Sequence, residues 1–153
     1  MFPGLAALML LALSVPAVEA GAAEPAPPGV AAFRVEGDGI RAPLDGRVGD
    51  AARGRALVHD TGAGACILCH TTPDNPLPVA GNVGPALAGV GSRLTAAQLR
   101  LRIVDSTRIN AATAMPAYHR IEGLTRVGSA YAGRPVLSAQ QVEDVVAYLR
   151  TLR

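Results

Sequence analysis

"GACILCH", residues 64–70, holds Cys66 and Cys69, the only two cysteines of the 153-residue chain, with His70 directly after them. Four chemistries use such a stretch: a disulfide, a dithiol redox centre, part of a zinc site, or covalent attachment of a haem. Each makes a different demand on the rest of the chain, so the fold follows from choosing among them. A disulfide across two intervening residues closes a tiny loop and adds little stability. A dithiol redox centre sits at the start of a helix in a thioredoxin-type α/β fold. No period-2 strand set is present here to build one. Structural zinc takes four ligands, with a second pair at suitable spacing. His59 and His119, the only other histidines, have no finger spacing, although counting alone leaves a Cys2His2 set open.

The haem reading uses every residue of the motif. C-x-x-C-H is the attachment signature of c-type haem. Its spacing sets two thiols against the two porphyrin vinyl groups as thioethers and brings the next residue, His70, onto the iron. One covalently bound haem c is therefore expected, held by Cys66 and Cys69. His70 then needs a partner for its other ring nitrogen, to fix its orientation and raise its basicity. Gly84-Pro85 in "NVGPALAGVG" turns the backbone back and offers a carbonyl.

The other axial position is filled by Met, by His or by nothing. Beyond residue 20 the chain has one methionine, Met115, in "AMPAYH". A lone Met is commonly core filler. Met115 instead lies outside any helical stripe, and Pro116 stiffens the backbone just after it. His59 and His119 are the rival donors. His59 belongs to a helix and His119 is placed in a surface loop, so Met115 is the preferred sixth ligand. A thioether is a soft donor that favours Fe(II), so His/Met ligation raises the reduction potential. With both axial positions filled, such a centre exchanges electrons and binds no substrate.

Three helices can be argued. The first covers about residues 50–59, with Asp50 as N-cap and Gly54 permitting close approach of another helix. The second begins at "LTAAQLRLRIV", where Thr95 and Gln98 have capping-box spacing and Leu94 and Leu99 form a hydrophobic staple. The third is "LSAQQVEDVVAYLRTL". Ser138 and Gln141 repeat the capping box there, Leu137 and Val142 the staple, and Val142, Val145, Val146, Leu149 and Leu152 recur at helical spacing. Residues 34–48 are rich in turn formers, and residues 71–93 read as loops punctuated by Pro and Gly.

The N-terminus reads as a targeting segment. "LAALMLLALSVPAV", residues 5–18, is apolar and leads to small residues at the −3 and −1 positions before a cleavage site after Ala20. No Lys or Arg precedes it, and an uncleaved membrane anchor is the alternative. Its length favours a cleaved signal and export to a bacterial periplasm, with no membrane attachment afterwards. Removing residues 1–20 deletes Glu19 alone among the charges and raises the formal charge of +2 by one. Residues 21–33, Ala- and Pro-rich, read as a flexible leader. The expected organisation is a signal over 1–20, a leader and N-terminal extension over 21–47, and one domain over 48–153. All 14 basic residues are Arg, too few in excess and too scattered for a nucleic-acid surface. Only 3% of residues are aromatic, so the core profits from any large apolar body it can wrap.

Taken together, "GDAARGRALV", "CILCH", "GNVGPALAGVGSR", "MPAY" and "VEDVVAYLRTL" resemble the class I cytochromes c. The resemblance implies an all-α fold of a few helices wrapped around one covalent haem, with long loops. It also implies a crossing of first and last helices near Gly54 and Tyr148, a hydrogen bond from His70 to the Pro85 carbonyl, and Met115 as sixth ligand. From about residue 34 to the C-terminus, "GDGIRAPLDG", "GPALAGVGSRLTAAQLRLRIVDSTRIN" and "MPAYHRIEGLTRVGSAYAGRPVLSAQQVEDVVAYL" more narrowly resemble the SoxX family of monohaem subunits. That family pairs with a SoxA subunit in a periplasmic complex that couples thiosulfate oxidatively to a cysteine of the carrier SoxYZ (an L-cysteine S-thiosulfotransferase). The implied role is non-catalytic. The subunit relays electrons from the SoxA haem to a small acceptor cytochrome, and the thiol chemistry lies in the partners. With only Cys66 and Cys69 available, this chain has no thiol to spare for it. The rival functions are a freestanding periplasmic monohaem carrier and a zinc- or disulfide-stabilised binding module. Residues 120–137 are long for a plain link and are a candidate for the SoxA interface or a cover for the haem edge.

Overall fold

The computed structural model describes residues 29–77 and 81–153. The segment read as a signal, residues 1–20, lies outside them, as do residues 21–28 of the leader. Among the described residues there are four α-helices and no strand. We label them α1 (Ala51–His59), α2 (Val90–Arg93), α3 (Ala96–Asp105) and α4 (Ala139–Thr151). Single 3-10 turns occur at Leu44–Gly46, Cys66–Leu68, Ser106–Arg108 and Ser129–Tyr131. No helix of the described residues is long and apolar enough to cross a membrane. The expected all-α class holds.

The helix ends follow from local chemistry. Asp50 accepts a hydrogen bond from the Arg53 N–H and starts α1. Complete capping boxes, Thr95 with Gln98 and Ser138 with Gln141, start α3 and α4. Each satisfies N–H groups that the first helical turn leaves without partners, and losing such a cap costs about 1 kcal/mol. Within α4, Val142, Val145, Val146 and Leu149 are buried in one core with Val58 of α1 and Leu99, Ile103 and Val104 of α3. Fully burying an aliphatic side chain of this size contributes about 1.5–3 kcal/mol.

Helices α1 and α4 cross at Gly54. A Cβ placed there would overlap the Asp144 carbonyl and meet Tyr148 Cβ at 3.0 Å, so the backbones touch only because residue 54 has no side chain. Asp144 locks the crossing. Its Oδ1 accepts from the Asp50 N–H and from Arg53 Nη2, both at 2.8 Å, and its Oδ2 accepts from Arg53 Nε at 2.8 Å. Burial pushes the Asp144 carboxyl up, but the Arg53 hydrogen bonds outweigh it and hold its pKa below the usual carboxylate value.

Two readings need correction. Helix α2 lies inside the stretch read as loop. It is a single turn without a side-chain cap, too short to show periodicity, and it forms because α4 holds it. The Gly91 N–H donates to Leu152 O at 2.8 Å, and Arg150 Nη1 donates to Gly91 O at 2.7 Å. The end of the leader is also packed rather than free at Ala31, and Ile40 and Leu44 of the turn-rich segment that follows are buried in the same core. The N-terminal extension is pinned by a buried ion pair, Arg100 with Glu143, whose side chains are only 5% and 4% exposed. Arg100 donates to the two Glu143 oxygens at 2.7 and 2.8 Å and to Ile40 O at 2.5 Å. Glu143 in turn accepts from the Leu44 N–H at 2.9 Å. Leader composition did not reveal this, because the anchoring charges lie in α3 and α4.

Candidate haem-attachment site

The motif begins at a strained residue. Ala65 has φ 54°, in the left-handed region, and its N–H donates to Asp60 O at 2.8 Å. The chain reverses there and enters the 3-10 turn Cys66–Leu68. Cys66 O then accepts from both Cys69 N–H (3.1 Å) and His70 N–H (2.9 Å), so the motif is a compact knuckle. Both cysteines are free thiols. Burial pushes the Cys66 thiol up to about 11. A redox dithiol needs an accessible, lowered-pKa thiolate at a helix start, and Cys66 is shifted the other way. No group of three His, Cys, Asp or Glu side chains among the described residues is arranged to hold a metal ion.

A second segment runs along the knuckle. Gly81 N–H donates to Ile67 O at 3.2 Å, Gly84 N–H to Cys69 O at 2.8 Å, and Leu87 N–H to Thr71 O at 2.9 Å. This pairing carries Pro85 O to 2.7 Å from His70 Nδ1. The carbonyl can only accept, so Nδ1 carries the proton and the Nε2 lone pair remains available. Gly84 covers the ring: a Cβ there would fall 2.5 Å from His70 Nδ1 and 2.7 Å from Nε2.

The third segment carries Met115, which is half-buried between exposed Ala114 and Pro116. Its N–H donates to Thr113 Oγ1 at 3.1 Å, and its carbonyl accepts from Ser106 Oγ at 2.8 Å. The loop is pinned to the end of α3, with Tyr118 N–H to Ile103 O at 3.1 Å and His119 N–H to Val104 O at 3.2 Å. Tyr118 faces the two cysteines; burial first, then the neighbouring Cys66 and Cys69, push its phenol well above the usual value. The Met115 loop thus lies against the knuckle that holds Cys66, Cys69 and His70. Tyr118 was not singled out from the sequence. An aromatic three residues after the only methionine beyond residue 20 was the available signal.

The rival histidines are engaged elsewhere. His119 was placed in a surface loop, but it is fully buried. Its Nε2 accepts from Ala31 N–H at 2.9 Å and its Nδ1 donates to Leu137 O at 2.7 Å. It joins the N-terminal extension, the Met115 loop and the entry to α4, three segments far apart in sequence. His59 Nε2 lies 3.1 Å from Thr72 Oγ1 and 3.5 Å from Asp74 Oδ1, with its ring edge-on to Tyr148. Among the described residues, His70 is the only histidine whose Nε2 has no hydrogen-bond partner. Behind the knuckle, Asp74 accepts from Tyr148 Oη at 2.6 Å and Arg55 Nε at 2.5 Å. Burial favours the neutral Asp74 carboxyl, but these two hydrogen bonds prevail and bring its pKa to about 2.

Known proteins resemble this chain in sequence and fold. The family profile described as Cytochrome c matches residues 51–153. No curated protein sequence matches the chain. Among solved structures, the "Crystal structure of SoxXA from P. pantotrophus" contains a chain similar to this one, with a TM-score of 0.72 and 33% sequence identity. That similarity covers 78% of this chain and 93% of the solved one. Helices, motif and pairing loop fall within the matched region, and the chain accordingly belongs to the cytochrome c family, whose members carry covalently bound haem c.

Proposed function

We propose that this chain is the monohaem electron-transfer subunit of a SoxAX-type complex. In this reading Cys66 and Cys69 would hold one haem c through their thiols, and His70 and Met115 would supply its protein donors to iron. The observation that carries the site assignment is the 2.7 Å contact of His70 Nδ1 with Pro85 O, which leaves Nε2 as the one uncommitted histidine Nε2 among the described residues. The free thiols, the Gly84 backbone against the imidazole and the Met115 loop beside Tyr118 all fit such a group. When bound, haem supplies reversible one-electron exchange.

The chain's own residues set the conditions for that exchange. Pro85 O holds His70 in one tautomer and strengthens it as a donor. The Met115 thioether is soft and favours the reduced state. Together the two donors leave no coordination position for substrate. Both thiols are consumed in attachment, so the coupling of thiosulfate to a SoxYZ cysteine falls to partner chains. With haem bound, this subunit would take electrons from a SoxA-type partner and give them to a small acceptor cytochrome, in the periplasm after signal cleavage. Residues 120–137, with 125–130 exposed around the turn at Ser129–Tyr131, are proposed as part of the partner surface.

The test is co-expression with a SoxA-type partner under conditions that mature c-type haem. The expected product is a co-purifying pair in which thiosulfate and carrier reduce the haem of this chain only when the partner is present. Cys66 and Cys69 should resist alkylation after denaturation. Alkylatable thiols and no haem absorbance would overturn the site assignment. Efficient reduction by a respiratory donor, with no partner captured, would point instead to a freestanding carrier.

A further inference from the structure

The end of α3 does more than terminate a helix. Asp105 and Ser106 are 2% and 6% exposed, and both direct their side chains at neighbouring chain rather than solvent. Asp105 Oδ1 accepts from Thr107 Oγ1 at 2.5 Å and from Thr107 N–H at 3.2 Å. Its Oδ2 accepts from Arg120 Nη1 at 3.0 Å and lies 3.4 Å from Arg108 Nε. Arg120 thereby fastens the far end of the Met115 loop. At Met115 itself two hydroxyls serve, Thr113 Oγ1 on its N–H and Ser106 Oγ on its carbonyl. Of these, Ser106 alone belongs to the helical scaffold. Thr113 is part of the same loop and moves with it.

The geometry points to Ser106 as a positioning residue for the Met115 sulfur. This rests on the reading of Met115 as sixth donor. A thioether is a weak, neutral donor on a side chain with three rotatable bonds. Its residence on iron depends on how narrowly the backbone beneath it is confined. Pro116 fixes φ on one side of Met115, and the Ser106 hydroxyl fixes the carbonyl between them, tying the ligand's main chain to the rigid end of α3. Without that tether the loop still closes through Tyr118 and His119. The Met115 segment then samples more conformations, and the sulfur leaves the iron more often. The effect falls mainly on the oxidised state, because a soft thioether binds Fe(III) less firmly than Fe(II).

Imidazole competition on the mature oxidised holoprotein reads this directly, because added imidazole binds only when the sixth position opens. Ser106→Ala should tighten apparent imidazole binding by about fivefold, the factor expected from losing one ordinary hydrogen bond. The reduced spectrum should stay as in the parent. Ser106→Thr, which keeps the hydroxyl, should bind imidazole like the parent. Met115→Ala separates this inference from the one beneath it. If Met115→Ala opens the site while Ser106→Ala changes only the unfolding midpoint, the positioning role is refuted and Met115 ligation stands. If Met115→Ala leaves spectrum and imidazole affinity unchanged, the ligand assignment itself fails. Should Ser106→Ala not accumulate as holoprotein, the Thr variant decides: looser or tighter imidazole binding with its hydroxyl present refutes the role.

Discussion

Gly84→Ala perturbs the site at one atom. The new Cβ would sit 2.5 Å from His70 Nδ1 and 2.7 Å from Nε2, against the face of the imidazole. The nearest ring atom, His70 Cε1, would lie closer still, and ordinary contact begins near 3.4 Å, so ring and loop must part by about 1.1 Å. The loop cannot simply lift, because Gly84 N–H is bound to Cys69 O at 2.8 Å and Leu87 N–H to Thr71 O at 2.9 Å. The ring cannot simply turn, because Nδ1 is held 2.7 Å from Pro85 O. The weakest concession is the His70–Pro85 hydrogen bond. With His70 as the proposed iron donor, losing it would make the imidazole a poorer donor and disfavour Fe(III) more than Fe(II). If the full net worth of one hydrogen bond, about 1 kcal/mol, falls on the oxidised state, the reduction potential rises by about 40 mV. Spectroelectrochemical titration of the holoprotein measures this, with Asn82→Ala as a control on an exposed residue of the same loop. A Gly84→Ala protein whose potential and unfolding midpoint both match the parent would refute the reasoning, since the backbone could not then lie on the ring.

Further expectations concern the scaffold. Gly54→Ala gains about 1 kcal/mol of helix propensity but forces a methyl into the Asp144 carbonyl, and overpacking of this kind costs about 1–3 kcal/mol or more. The net result should be a lower denaturation midpoint at unchanged m-value, and a rise in the midpoint would contradict the crossing. Glu143→Gln strands Arg100, which is only 5% exposed, and should cost about 3–5 kcal/mol. The double variant Arg100→Met with Glu143→Leu should lose far less than the sum of the singles, and additive losses would show that the pair is not coupled. Limited proteolysis of Glu143→Gln should also cut residues 29–47 faster than in the parent. Asp74 titrates at about 2 when folded against an ordinary 3.8, so the unfolded chain takes up the proton first as pH falls. Its contribution is complete above the ordinary value and is lost as pH drops through about 2. Asp74→Asn should flatten the acid limb of stability in that window, and an unchanged limb would refute the assignment.

The site was more legible than its supports. Cys66, Cys69 and His70 fall within five residues, so their pattern is written locally, and the capping boxes at Thr95 and Ser138 likewise act within four residues. Pro85 and Met115 were reached through residue type: a Gly-Pro turn offers a carbonyl, and the chain has one methionine beyond residue 20. His119 was misplaced because nothing local distinguishes a buried histidine from an exposed one. Its burial depends on Ala31 and Leu137, 88 and 18 residues away. Helix α2 and the packed end of the leader were missed for the same reason, since their partners lie in α4 and α3.

From the sequence alone came the all-α class, the C-x-x-C-H motif and the three capped or amphipathic helices, because these depend on contacts within a few residues along the chain. The tertiary structure alone decided which histidine keeps an uncommitted Nε2, and that a serine at the end of α3 holds the methionine loop. It also decided that Arg100 and Glu143 share one buried pair. These depend on which groups the folded chain brings together, across 43 residues for Arg100 and Glu143 and nine for Ser106 and Met115, and spacing along the chain carries no information about which donor meets which acceptor.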